Sequence, residues 1–244
     1  MQELRINTSF WPWIASCMVV AAVMLTAIVA VAFVVPTETT MGDAQRILYI
    51  HVPVAWLGLL AFAIMAGAGV LYLLKRDLCW DHWAHAAAEL GWLFCGLTLI
   101  TGSLWAHAAW ATWWAWDPRL TTSFILWLIY SGCLVVRGSI HDAHRRARIS
   151  AVLACIGALD IPLVIMATRW FRGIHPVSPE MEPSMRVVLA LCAVSFTAFF
   201  VMLLSRRRVQ MHFDELLGDL RQQAEASHLP VSNADTCLRN TTFK

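Results

Sequence analysis

In a chain of 244 residues, 59% hydrophobic and 14% charged with a mean hydropathy of +0.62, the apolar excess excludes a water-soluble globular domain. A formal charge of +2, with no basic stripe carrying interleaved aromatics, excludes a nucleic-acid partner. The seven cysteines form no Cys-x-x-Cys pair, which excludes a disulfide scaffold and a thioredoxin-like motif; most sit in apolar blocks as small hydrophobes.

The apolar residues come in blocks of about 17–23, each long enough to cross a bilayer core as helix. They predict an all-α, polytopic membrane protein with six transmembrane helices, at residues 13–35, 54–74, 86–104, 120–136, 150–168 and 187–204. The first block follows Arg5. It is too long for a signal-peptide core and lacks a small-x-small cleavage site, so it reads as a retained span. One set of connections carries Arg5, Lys75, Arg76, Arg137, Arg145, Arg146, Arg148 and Arg206 to Arg208. The other set carries only Arg46, Arg119, Arg169, Arg172 and Arg186. The positive-inside rule makes the first set cytoplasmic, with both termini inside and three loops outside: 36–50, the stretch 105–119, and 169–185.

The first outer loop leads into His51, just before Pro53. Proline suits the first turn of a helix. The positive end of the helix dipole disfavours an imidazolium there and leaves a neutral ring able to ligate a metal. A histidine bonded to loop backbone is the competing reading. The second loop holds Trp105, Trp110, Trp113, Trp114 and Trp116. A boundary segment takes one or two tryptophans as anchors; five make a flat aromatic surface on which something else lies, or an over-built aromatic belt. Asp117-Pro118 reads as a helix start, with Asp117 as N-cap and Pro118 at N1.

Within the spans, Asp160 with Pro162 reads as a structural carboxylate, and Glu89 is placed to snorkel from the inner end of its span. The third outer loop sets His175 beside Trp170 and Phe171 and is stiffened by Pro176, Pro179 and Pro183. Two histidines on one face of the membrane, flanking a tryptophan surface, match the needs of a haem. Those are two axial imidazoles, an aromatic bed and cations for the propionates. Arg46, Arg119 and Arg172 are on the side for the last role, and each is equally a headgroup anchor. No Cys-x-x-Cys-His is available for covalent attachment.

At the inner ends, His82/His85 and His141/His144 are spaced i,i+3 but lack a third ligand, and read as solvated helix faces. The tail shows amphipathic spacing through Val209, His212, Phe213, Leu216, Leu217 and Leu220, and turns polar and disordered past Ala224. The expected organisation is a transmembrane unit over 1–205 and a cytoplasmic helix and tail over 206–244.

Two long motifs resemble a known family. The first runs from Gly42 and Arg46 through Tyr49-x-His51-Val52-Pro53-x-Ala55-Trp56. The second is Thr101-Gly102-Ser103-x-Trp105 leading into Trp113-Trp114-x-Trp116-Asp117-x-Arg119-Leu120-Thr121. Both are similar to the haem exporter protein C (CcmC) family of cytochrome c maturation, with its tryptophan-rich "WWD" signature. A Trp170-x-x-x-x-His175 match follows, and the resemblance covers about residues 10–205. Ala106 and Ala111 stand where the family has glycine.

The resemblance implies that His51 and His175 are axial ligands of a non-covalent haem b. It implies that Trp110, Trp113, Trp114, Trp116 and Asp117 form the platform for the haem edge. It further implies haem transport at the periplasmic face of a bacterial inner membrane, with delivery to the haem chaperone CcmE. The small membrane subunit CcmD and the ABC transporter subunits CcmA and CcmB are the remaining implied partners, besides the lipid bilayer. ATP hydrolysis would be theirs, since this chain has no Gly-x-x-x-x-Gly-Lys and reads as a delivery subunit rather than an enzyme. Ligands on loops favour an exposed haem edge and delivery. No span holds a central histidine, which counts against a b-type cytochrome. A cytochrome c haem lyase that forms the thioether bonds itself would need a larger outer domain. A small-solute transporter with an aromatic gate would need further intramembrane polar pairs.

Overall fold

The computed structural model describes residues 10–39, 41–171, 173, 175 and 181–228. Among these residues the fold is helical, with no sheet, and six segments are long and apolar enough to cross a membrane. The protein is a multi-pass membrane protein, as the apolar blocks predict.

Helix α1 (Phe10–Phe33) packs against the last helix and turns Met18, Leu25 and Ile28 outward, as a lipid-facing helix should. Gly42 then takes a left-handed φ of 58°, and a 3₁₀ turn (Asp43–Ile47) runs straight into α2 (Leu48–Lys75). The second span therefore begins six residues before the expected 54, and Pro53 lies inside the helix, not in its first turn. The buried polar groups of Gln45 and His51 hide this start from an apolar count. Arg76 closes α2 in the left-handed region, its N–H on the Tyr72 carbonyl at 2.8 Å.

Helix α3 (Leu78–Trp110) begins on Asp77, whose side chain accepts from the Cys79 N–H at 2.9 Å. It runs past the expected end at 104 and carries Trp105, His107 and Trp110 on helix, where a loop is predicted. Ala111 ends it at φ 53°. Alanine thus takes a left-handed turn of the kind that glycine favours. Helix α4 (Pro118–Ser139) starts as predicted, on Asp117 and Pro118.

The fifth span departs from the expected single helix. It consists of α5 (Ala143–Gly157) and α6 (Asp160–Trp170), broken at Ala158 and Leu159. Pro162 has no N–H to return to Ala158, so the ladder tightens: Leu159 N–H reaches Ile156 at 3.1 Å and Ile161 N–H reaches Ala158 at 3.3 Å. Asp160 is buried at the break, and its Oδ2 has no hydrogen-bond partner. Helix α7 (Pro183–His228) forms the sixth span and continues unbroken beyond it. The expected boundary at 205/206 thus falls inside a helix. Residues 229–244 lie outside the described residues.

Helix α2 is the centre of the core, with Val54, Leu57, Ala61, Phe62 and Met65 buried against α3, α5 and α7. Ala86, Ala87 and Ala88 let α3 approach closely, and Gly91 accommodates the Tyr130 ring, whose hydroxyl donates to the Gly58 carbonyl at 2.9 Å.

At the Arg-rich end several side chains behave unlike solvated or snorkelling groups. Arg137 is buried and donates two bonds of 2.7 Å to Asp81, linking α4 to α3. Glu89 does not snorkel; it accepts from Arg207 Nη2 at 2.8 Å. His82 and His85 do not form a solvated face either: they lie 2.9 Å from Glu215 and 3.5 Å from Glu89. His141 and His144 are both exposed, as expected, and His144 Nδ1 lies 3.2 Å from the Tyr72 hydroxyl. For Glu89 and His82 the cause is α7, whose extension packs on α3 and supplies Arg207 and Glu215 from far along the chain.

Candidate functional site

At the other end of the bundle, α2, α3, α4, α6 and the segment after α6 enclose a cleft of about 830 Å³, counting its open mouth. Ala55, Leu59, Leu126 and Val164 form its apolar wall, and His51 and His175 both line it.

His51 stands in the first turn of α2, buried. The expectation that both histidines sit on loops is corrected for His51, because α2 starts early. Its Nδ1 is 2.9 Å from Thr101 Oγ1, and the Thr101 hydroxyl donates to the Leu97 carbonyl at 2.7 Å. A threonine hydroxyl has one proton. With that proton on a carbonyl, Oγ1 accepts from Nδ1–H, and the proton-free nitrogen of His51 is Nε2. Gly102 makes room for the ring: a Cβ there would lie 3.0 Å from His51 Cε1.

Asp117 connects the two histidine-bearing regions. Its Oδ1 caps α4 at the Leu120 N–H, 2.8 Å away, and its Oδ2 accepts from the His175 N–H at 3.3 Å. Gly173 is needed for this approach, since a Cβ there would stand 2.8 Å from Oδ2.

The tryptophans do not form one flat surface. Trp105, Trp110 and Trp114 line the cleft, whereas Trp113 and Trp116 lie outside its lining at 57% and 74% exposure. Trp114 meets Trp116 edge-on at 80°, Trp105 and Trp110 are tilted by 43°, and Trp113 stacks on His107 at 4.0 Å. Helix geometry sets the first two rings and an irregular seven-residue loop sets the rest, so no common plane results. The Nε1 atoms of Trp105 and Trp114 are buried without a hydrogen-bond partner.

Of the predicted cations, Arg119 lines the cleft. Arg46 does not: it holds the carbonyls of Val31, Ala32 and Val35 and the Asp43 carboxylate, closing the end of α1. Arg172 lies outside the described residues. Trp105 belongs to the expected aromatic surface, whereas Thr101 carries no expected site role; its signal is the polar Thr101-Gly102-Ser103 interruption inside an apolar span. Together the cleft offers two imidazoles, a guanidinium, aromatic rings and an apolar wall. That donor set fits a metal-centred, mainly apolar ligand with an acidic edge.

A family model described as Heme exporter protein C (CcmC) matches residues 2–218. The chain is 34% identical over 250 residues to a heme exporter protein C of Bradyrhizobium diazoefficiens, covering 92% of this chain and 94% of the relative. It is 33% identical over 184 residues to a putative cytochrome c biosynthesis ccmC-like mitochondrial protein of Marchantia polymorpha, covering 72% and 78%. It is 31% identical over 177 residues to heme exporter protein C of Escherichia coli K12, covering 72% and 71%.

Proposed function

This chain belongs to the heme exporter protein C family, and on that premise we propose that it holds haem b as non-covalent cargo and hands it on for cytochrome c maturation. His51 and His175 are the axial ligands. One observation carries the reading: these two histidines, far apart in sequence, line the same cleft. His51 keeps Nε2 for iron through its bond to Thr101. Arg119 meets the propionates, and Trp110 and Trp114 wall the macrocycle.

The exposed rings of Trp113 and Trp116, beside Asp117, form the rim that an acceptor reaches. The acceptor is the haem chaperone CcmE, at the periplasmic face of the inner membrane. CcmD, CcmA and CcmB complete the complex and supply ATP hydrolysis. The Lys and Arg distribution supports this orientation. The chain itself binds and positions; it makes no covalent bond to haem.

The test is a haem titration of the detergent-purified protein, followed by absorption, beside His51→Ala/His175→Ala. A bis-histidine Soret band in the first and none in the second is expected. Equal binding in both would remove the ligand assignment.

A further inference from the structure

We propose a second, divalent transition-metal site at the opposite end of the bundle, formed by His82 of α3 with His212 and Glu215 of α7. On α3 the nearest cleft-lining residue, Cys95, stands 13 residues from His82, about 20 Å along the helix.

One ligand atom from each of the three residues lies within 4.8 Å of the other two. His212 and Glu215 are spaced i,i+3, so α7 presents both on one face. His82 Nε2 is fully buried and has no hydrogen-bond partner, although Glu215 Oε2 is only 2.9 Å away. A simple histidine–carboxylate pair would align its N–H with the oxygen. Metal–ligand bonds of about 2.0–2.2 Å place the ligand atoms of a tetrahedral site about 3.3–3.6 Å apart, so His82 Nε2 and Glu215 Oε2, at 2.9 Å, need part by only about half an ångström to share one ion.

The ligands are also held. Arg208 packs over the Trp83 ring at 4.8 Å, and Arg207 pairs with Glu89, so α7 is fixed to α3 beside the site. Arg137 and Arg207 line the adjoining cavity but are neutralised by Asp81 and Glu89. Two imidazoles, one carboxylate and no thiolate suit Zn²⁺ or a similar first-row cation rather than Ca²⁺ or Cu⁺. Three protein ligands leave a coordination position open to the cavity. The bound ion clips the extension of α7, beyond its apolar span, to the first turns of α3.

The experiment uses full-length protein without a histidine tag, in detergent and freed of metal by chelator. It is titrated with Zn²⁺ and, in parallel, Co²⁺, on the His51→Ala/His175→Ala background so that the other histidine cleft does not contribute. One equivalent bound is expected. His212→Ala and Glu215→Gln, both at exposed positions, should each weaken binding about tenfold or more. The cobalt spectrum should show no thiolate charge transfer. No retained metal, or unchanged affinity in His212→Ala and Glu215→Gln, would overturn the site. Neither result bears on haem binding, which the wild-type titration reads separately.

Discussion

The Asp117 carboxylate accepts a hydrogen bond from the backbone N–H of His175 at 3.3 Å, across 58 residues of chain. The same side chain caps α4 through its other oxygen. One residue thereby starts a helix and fixes the loop that carries a proposed iron ligand.

Asp117→Ala removes both bonds. It is expected to cost about 1 kcal/mol of stability through the lost cap, read as a lowered Tm. Asp117→Asn keeps a capping oxygen but faces its amide toward the His175 N–H. It should therefore hold most of the stability and still weaken haem binding. Wild-type haem affinity in Asp117→Asn would show that the second bond does not position His175.

Thr101 accepts the Nδ1 proton of His51. Thr101→Val keeps the shape and deletes the acceptor, and is expected to lower haem affinity about 10–100-fold. Thr101→Ser should restore it. A titration in which Val and Ser behave alike would reject this role.

Ala111 ends α3 at φ 53°. A left-handed alanine is strained by roughly 1–2 kcal/mol, and glycine is not. Ala111→Gly is expected to stabilise the protein by about 1 kcal/mol, the relief being offset by unfolded-state entropy. Thermal unfolding in detergent measures it, and a lower Tm would contradict the backbone assignment.

Asp81 and Arg137 form a buried bidentate pair. Asp81→Ala leaves a buried guanidinium without its anion and should cost about 3–5 kcal/mol. The double replacement Asp81→Leu/Arg137→Met should be more stable than either single one. Additive losses in that cycle would mean that the pair is not coupled.

Local properties were legible before the structure. The number and approximate places of the spans, the N-cap at Asp117 with Pro118 behind it, and the two motif segments all depend on residues within a few positions of each other. The errors share a cause as well. Gln45 and His51 are polar, and Trp105 to Trp110 are aromatic with a histidine among them, so an apolar count ends the helices too soon. The structure buries or stacks those groups and lets α2 start early and α3 end late. Arg46 reads as a cation for a ligand because its role, satisfying the open carbonyls of α1, depends on a turn that folds it backward.

What the sequence determined by itself was the membrane class, the six apolar segments and the family, because length, hydropathy and short motifs are written along one strand of chain. What only the tertiary structure decided was which polar groups meet. Hydropathy and periodicity do not encode pairs. His51 with Thr101, Asp117 with His175, Arg137 with Asp81, and His82 with Glu215 are each joined by helix packing between distant segments. A polar group away from water gains most where packing brings it a partner, so the meeting of distant segments assigned these residues their roles.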